Sequence, residues 1–493
     1  IGVRLVGSEM CIRDRILYNI YKTDFSQNGA AGKMVEYRHM TVNGAVNYAY
    51  DDRYVATFSF AADGSDNYRP GNRWGFYPSL GLGWIVSRER FLRDSRMVDL
   101  LKLRASVGKN GWDPMGEMRY LWEGYYTGRG GLNTGNSEHT WHGGTALSYL
   151  PNPDVFAEKS LKYDAGIDLR LWNRLSLNVD LFLEKRSGIV TQDWMIPGAS
   201  GVDNPPYRNI GRMTNKGFEV QLSWADRIGD FNYALTGMAS YNSNKVDYMA
   251  EVVTVPTAAR TGRRLDALFG YVADGFYDWD DFDVGGELRE GLPKPTFGAV
   301  QPGDIKYKNL NGDTVIDEND QTAIGDSYLP KLQYSFSLAA SYKGFDLFAL
   351  FQGAAGRDVN LLDAPLQNVA FRDNGNVYGI AEGRWAYYPE QGIDTRATAT
   401  YPRLSLQDNS NNYRNSTLWK RSGDFLKLRN VELGYTFAQP SLSKAGISKI
   451  RIYLSGVNLL TVSRLMRDYD IDPEILSGHP ALKSYNLGLT VTF

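Results

Sequence analysis

Leu161-Lys162-Tyr163-Asp164-Ala165-Gly166-Ile167-Asp168-Leu169-Arg170-Leu171, then Trp172-Asn173-Arg174, then Leu175-Ser176-Leu177-Asn178-Val179-Asp180-Leu181-Phe182-Leu183: the reading of this stretch decides the fold. Apolar side chains fall at every second position on both sides of the join, from Leu161 to Leu169 and again from Leu175 to Leu183. A period of two belongs to an extended strand with two unlike faces. So short a join leaves no room for a crossover, and it predicts an antiparallel hairpin.

The same device recurs outward in both directions from about residue 42. Val42, Val46, Tyr48 and Tyr50 precede an Asp-Asp-Arg turn, and Tyr54, Ala56, Phe58 and Phe60 follow it. Leu101, Leu103, Ala105 and Val107 repeat the pattern. Phe218, Val220, Leu222 and Trp224 pair with Tyr233, Leu235 and Ala239, and Leu332, Tyr334, Phe336 and Leu338 with Phe345, Leu347 and Phe351. The chain closes on Tyr485, Leu487, Leu489, Val491 and Phe493, one apolar face ending in an aromatic residue. About thirteen strands are countable in this way, and the fold class is all-β.

Between the apolar positions stand Ser, Thr, Asn, Gly and an occasional charge. Such a strand suits a wall with lipid on one side and water on the other. A soluble sandwich alternates too, so connection length has to separate the two. Short joins follow Tyr50, Leu171, Trp224, Tyr342 and Phe437, and long segments rich in Gly, Asn, Asp and aromatics lie near 109–157, 184–216, 243–330 and 353–424. Alternation of short turns with long loops is the pattern of an outer-membrane barrel, with the short turns periplasmic. Long structureless connections are uncommon in compact soluble folds. No run of about 18 apolar residues offers a membrane-spanning helix, so a membrane is crossed here by strands. The net charge of -2 removes the basic face on which nucleic-acid binding depends.

Leu5-Val6-Gly7-Ser8-Glu9-Met10-Cys11-Ile12-Arg13-Asp14-Arg15 resembles the in-frame translation of a sequencing adapter, and residues 1–15 are set apart from the fold on that ground. Cys11 goes with them, which leaves 16–493 without a thiol for a disulfide or a metal.

Several motifs carry a family resemblance. They include Phe60-Ala61-Ala62-Asp63-Gly64-Ser65, Asn72-Arg73-Trp74-Gly75-Phe76-Tyr77-Pro78-Ser79 and Leu101-Lys102-Leu103-Arg104-Ala105-Ser106. Asn215-Lys216-Gly217-Phe218-Glu219, Pro302-Gly303-Asp304-Ile305-Lys306-Tyr307 and Tyr342-Lys343-Gly344-Phe345-Asp346-Leu347 follow, then Phe425 to Tyr435 and Ser455-Gly456-Val457-Asn458-Leu459-Leu460. In this order and at these spacings, the chain after residue 15 resembles the C-terminal β-barrel portion of SusC/RagA-type TonB-dependent transporters. The resemblance implies a transmembrane antiparallel barrel of about 22 strands, whose plug, TonB-contacting box and earliest strands lie outside this sequence. It also implies residence in the outer membrane of a Gram-negative bacterium. The function implied is TonB-energised import of glycans or oligopeptides with a SusD-like surface lipoprotein, not enzymatic catalysis.

Two groups of residues are candidate sites. Asn309, Asn311, Asp313, the Val315 carbonyl, Asp317 and Asp320 fall at positions one, three, five, seven, nine and twelve of a calcium-type loop, where a hard cation takes oxygen ligands. Asn at the first position and Thr314 at the sixth depart from that pattern, and an Asx-rich turn bonded to its own backbone reads equally well. An ion there would be structural Ca2+; no other cofactor is expected. Trp112, Tyr125, Tyr126, Trp141, Trp194, Tyr207 and Trp279 lie in the presumed external loops with Tyr277, as platforms for a ligand or as members of an aromatic girdle. His139 and His142 have no third metal ligand nearby, and Gly81 and Gly83 sit inside a strand beside Trp84. No nucleophile elbow, metalloprotease helix or P-loop is present. A charge placed on the lipid face at Leu177 or Leu489 is expected to impair insertion. The alternative from a different class is a secreted or surface β-rich adhesin or carbohydrate-binding protein, which explains the strands but neither the loop rhythm nor the terminal Phe493.

Overall fold

The computed structural model describes residues 37–493 apart from 114–118, 125, 135–139, 148, 201–203, 254, 363–376, 378, 407–408, 438–445 and 477–478. Of 126–134, 140–143, 145–146 and 198 it describes the backbone alone. The adapter-like residues 1–15 lie outside the described part.

Thirteen strands form one antiparallel sheet, each paired with its neighbour in sequence. They are β1 (His39–Tyr50), β2 (Tyr54–Ser65), β3 (Trp74–Ile85), β4 (Val98–Trp112), β5 (Glu158–Leu171), β6 (Leu175–Gln192) and β7 (Tyr207–Ile228). Then come β8 (Phe231–Tyr248), β9 (Leu332–Tyr342), β10 (Phe345–Ala355), β11 (Phe425–Phe437), β12 (Lys449–Ser463) and β13 (Ser484–Thr492). The expected hairpins are all present, and among the described residues β1 and β13 each have a partner on one side only.

Register turns the alternation into two surfaces. Tyr54, Trp84, Leu103, Ile167, Val179, Val220, Ala239 and Tyr334 stand opposite one another across eight strands, in one apolar row. One residue further along, Lys102, Asp168, Asn178, Gln221, Met238, Ser335, Gln352 and Lys427 form a row that is polar except for Met238. The apolar face is bare of protein: Leu181 is 55% exposed and Leu487 77%. An apolar surface that continuous is what lipid covers.

The hairpin turns follow local chemistry. Asp51 and Asp52, Trp172 and Asn173, and Lys343 and Gly344 all take positive φ, the left-handed pairing whose twist matches flanking strands. Aromatic side chains collect just inside these turns: Tyr50, Tyr54 and Trp84 stack in sequence, the Trp224 indole N–H bonds the Tyr233 hydroxyl at 3.3 Å, and Phe345, Tyr435 and Phe437 pack together. From the Tyr54–Trp84 pair, β2 and β3 run to the Gly64–Trp74 pair. That separation of about ten residues, at ~3.3 Å each and a tilt near 40°, spans roughly 25 Å, the height of an outer-membrane apolar band.

Register shifts near the strand ends in β4, β6 and β8, and well inside a strand in β11. Leu428 opposes Phe351 and Asn430 opposes Leu350, so Arg429 is an extra, bulged residue. The bulge keeps Leu426, Leu428, Val431, Leu433 and Tyr435 on the apolar face, which a regular strand would not.

Two expectations about the long connections need correction. The segment 184–216 is mostly strand, since β6 continues to Gln192 and β7 begins at Tyr207. Beyond the membrane both faces of a strand are wet, so the alternation that marks it in sequence fades while the ladder continues. The connections around 249–331, 356–424 and 464–483 are not solvated loops but share a core of their own. Tyr271, Ile305, Tyr307 and Ile316 from the first meet Val359, Leu361, Tyr401 and Trp419 from the second and Leu465 from the third. These connections form a folded cap over the extracellular end of the wall.

Candidate functional site

The polar face of the wall and the cap above it gather the polar and charged side chains that the apolar face lacks. Arg104, at a polar position of β4, reaches across two strands. Its Nη2 donates to Asp168 at 3.1 Å and to Asp180 at 2.7 Å, and Lys102 lies 3.9 Å from Asp168. Gly166 lies between these partners, and a Cβ there would come within 2.7 Å of both the guanidinium and Asp180. Arg104 and Asp180 border a shallow trough of about 390 Å³ with Asn178, Glu219, Gln221, Ser240, Gln333 and Gln352. Its chemistry is hydrogen bonding with a net negative rim, suited to hydroxyls, amides or a cation, and within it the Ser240 hydroxyl donates to the Glu219 carboxylate at 3.4 Å.

Nearer the mouth, Trp112 closes β4 on the same side as Arg104. It lines a second recess with Asn110, Glu158, Ser160, Lys162, Glu184 and Arg186. A flat indole, 55% exposed, beside carboxylates and cations is a combination that holds polar ligands with an apolar face.

The last connection is tied down at this rim. Lys427 is fully buried; its ammonium donates to Asp472 at 2.8 and 3.0 Å and to Glu474 at 2.8 Å, and the bulged Arg429 also pairs with Glu474. Burial works against ionisation of Asp472, but the Lys427 ammonium and backbone N–H groups of Glu474 and Ile475 outweigh it and hold the carboxyl below its usual range. The short helix Arg464–Tyr469 leads into this segment and places Leu465 in the cap core.

A buried polar knot joins the first two connections. Asp304 accepts from the Gln301 backbone N–H at 2.8 Å and from the side-chain amides of Asn409 at 3.0 Å and Asn412 at 2.9 Å, with Arg403 at 2.7 Å. Asn412 accepts the Ile305 N–H at 2.8 Å, and the Tyr307 hydroxyl donates to the Asn411 carbonyl at 2.7 Å. Gly303 precedes the knot at φ +90°, and a Cβ there would stand 2.5 Å from the Trp385 ring. The motif Pro302 to Tyr307 is therefore a cap-closing latch. Tyr277 next to it is buried, which with the Asp281 and Asp304 carboxylates pushes its phenol up to about 12.

The calcium-type loop lies in the same connection and bonds extensively to itself. Asn309 Oδ1 accepts from Gly312, Asn311 Oδ1 from Asp313, Asp313 Oδ1 from Val315, and Asp317 Oδ1 from Asn319. Asp320 is buried and accepts from Leu310 and Asp317. These Asx turns fold the loop through backbone donors. Among the described residues no three His, Cys, Asp or Glu side chains are gathered for a metal.

The aromatic candidates do not converge. Trp112 faces the recess described above, whereas Trp194 and Trp279 are exposed on separate connections. Tyr207 packs edge-on against Tyr149, 5.8 Å between centroids, and Tyr277 belongs to a small core with Phe282. Tyr125 lies outside the described residues, and of Tyr126 and Trp141 only the backbone is described, paired in one hairpin. His139 also lies outside them. Sequence reasoning passed over Arg104, Asp168 and Asp180, although each is a charge at a polar position of a recognised strand, and that was the available signal.

Comparison with known proteins agrees with this architecture. The family description "TonB dependent receptor-like, beta-barrel" matches residues 18–351. The chain is 29% identical to TonB-dependent receptor P26 of Formosa agariphila, across 96% of the chain and 48% of that protein. It is 26% identical to TonB-dependent receptor SusC of Bacteroides thetaiotaomicron, across 91% and 43%. The fold matches the structure of the RagAB peptide importer in its open-open state with a TM-score of 0.68 and 21% identity, covering 94% of this chain and 47% of that one. The chain thus spans about half the length of the relatives it matches.

Proposed function

Because the chain belongs to the TonB-dependent receptor-like β-barrel family, and so to the outer membrane of Gram-negative bacteria, we propose that it supplies wall and extracellular cap to a TonB-energised importer of glycans or oligopeptides. The observation that carries this reading is the pairing of a lipid-covered apolar face with a polar inner face, below connections that fold into one cap. A passive pore needs no such cap, and an adhesin needs no polar inner wall. In this reading a SusD-like lipoprotein seats on the cap, and TonB acts through a part of the protein outside this chain. Similarity to SusC and likeness in fold to a peptide importer support the proposal.

Trp112 and its recess act as the first contact inside the mouth, and the Arg104 trough as a second, deeper one. Trp194, Tyr207 and Trp279, with Tyr125, Tyr126 and Trp141, are proposed as further contacts of the cap with ligand. Any ion at Asn309, Asn311, Asp313, Val315, Asp317 and Asp320 is structural, using lone pairs left free by the Asx turns.

The test is deletion of the gene in its source bacterium, with complementation by wild type and by Trp112→Ala. Uptake of labelled oligosaccharides and oligopeptides should fall on deletion, return with the wild type and return only in part with the variant. Unchanged uptake of both classes, with loss of surface adhesion instead, would move the assignment to the adhesin.

A further inference from the structure

The connection between β3 and β4 differs from the other described joins at the turn end of the wall. It reads Val86-Ser87-Arg88-Glu89-Arg90-Phe91-Leu92-Arg93-Asp94-Ser95-Arg96-Met97, four arginines against two carboxylates. Arg88 lies 3.6 Å from Asp52, and Glu89 is paired with Arg53 at 3.0 Å. Arg90, Arg93 and Arg96 are exposed, and among the described residues none has a carboxylate within ion-pair distance. Phe91 is 72% exposed on the same segment. An aromatic ring so placed at the membrane edge suits the headgroup boundary better than open water.

Glu89 fixes where this segment sits. It accepts the Tyr54 hydroxyl at 2.6 Å and the Trp84 indole N–H at 3.0 Å, both girdle residues of the lipid-facing surface. One row deeper into the hydrocarbon, about 5 Å by strand rise and tilt, that surface is hollowed. A groove of about 560 Å³, almost wholly apolar, is walled by Tyr54, Trp84, Leu82 and Leu103 and floored at Ala56 and Ala105. The segment that carries the unpaired cations is thus fastened, through Glu89, to Tyr54 and Trp84, two walls of this apolar groove.

We propose that this is a binding site for an anionic phospholipid of the periplasmic leaflet, its acyl chain in the groove and its phosphate against Arg90, Arg93 and Arg96. Charge complementarity selects the headgroup, since three unpaired guanidinium groups outnumber the one unpaired carboxylate of the segment, the exposed Asp94, and offer bidentate donors to phosphate oxygens. Among the described residues the other turn-end joins lack this combination: Arg174 is paired with Asp226 at 3.0 Å, Arg227 donates to the Gly229 carbonyl at 2.6 Å, and Lys343 lies over the Tyr342 ring. The site needs only the outer-membrane setting and is independent of what the protein imports.

The experiment uses protein purified from outer membranes and exchanged into bilayer discs of phosphatidylethanolamine with a minority of phosphatidylglycerol, with retained lipid counted by native mass spectrometry. Wild type should retain phosphatidylglycerol in preference to phosphatidylethanolamine. Each arginine near an anionic headgroup is worth about fivefold in binding, so Arg90→Gln/Arg93→Gln/Arg96→Gln should weaken retention about a hundredfold. Ala56→Leu/Ala105→Leu, which fills the groove and leaves the arginines intact, should also release the lipid. Both variants should keep the heat-modifiable mobility of a folded barrel. Equal retention of the two lipids, or retention unchanged in either variant, would overturn the proposal. Displacement by millimolar inorganic phosphate would also overturn it, because the arginines would then form a phosphate site and not a lipid site.

Discussion

Lys427→Met separates charge pinning of the last connection from simple packing. Its ammonium is 1% exposed and the Asp472 carboxylate 3%, at 2.8 Å. Removing one partner of a buried pair costs about 3–5 kcal/mol, because the other charge is left without its counter-ion. Asp472 would keep backbone N–H bonds from Glu474 at 2.9 Å and Ala481 at 3.3 Å, and Glu474 would keep Arg429. The cost therefore belongs at the lower end, about 3 kcal/mol, or roughly a hundredfold in the opening equilibrium. Hydrogen exchange read by mass spectrometry should show protection of 464–476 falling by that factor while β5 and β6 are unchanged. Lys427→Met with Asp472→Leu should recover most of it. A change under about tenfold, or equal loss in β5 and β6, would refute the argument. The pH dependence follows with the same sign for both carboxyls. Burial opposes ionisation of Asp472 and of Glu474, but Lys427 for the first and Arg429 with Lys427 for the second hold them below their ordinary values. A depressed carboxyl contributes stability above its unfolded pKa, near 4, which is lost as pH falls through the lower folded value. The pin should stay closed from neutral pH down to about pH 4 and open below it.

Other perturbations probe other parts of the molecule. Gly303→Ala forces a Cβ toward Trp385 at positive φ, and about 1–3 kcal/mol of lost cap stability should appear as faster proteolysis within 249–331 and 356–424. Val179→Arg, midway along the outward positions of β6, should cost roughly 2–4 kcal/mol and reduce heat-modifiable protein in the membrane. Leu489→Arg, at an outward and 65% exposed position of β13, should likewise reduce heat-modifiable protein in the membrane. Calcium titration by calorimetry reads the 309–320 loop: saturable heat by millimolar calcium is expected of an ion site, and no heat would leave the Asx turns as its whole structure.

How much was legible beforehand depends on where a residue stands. Inside the membrane each strand separates lipid from water, so Leu161 to Leu183 announce both faces and the hairpin through period two alone. The cap has no such rule. Tyr271, Ile305 and Tyr307 meet Trp419 from more than a hundred residues earlier in the chain, in or beside strands of only three residues. Pro302 to Tyr307 stood out as a motif, but its role as a latch on Asn409 to Asn412 required the contact itself. The aromatic candidates were chosen by composition and exposure, which cannot tell Trp112, turned toward the inner face, from Tyr207, packed against Tyr149.

By itself the sequence determined the all-β class, the antiparallel order, the two-faced wall and which end carries the short turns, because these depend on neighbours two residues apart or across one tight turn. Only the tertiary structure decided the extent of β6 and β7, the bulge at Arg429, the cap core and the pairing of Arg104 with Asp168 and Asp180. Each of these depends on register or on contacts between distant segments, and a one-residue slip in register would send every side chain of a strand to the opposite face.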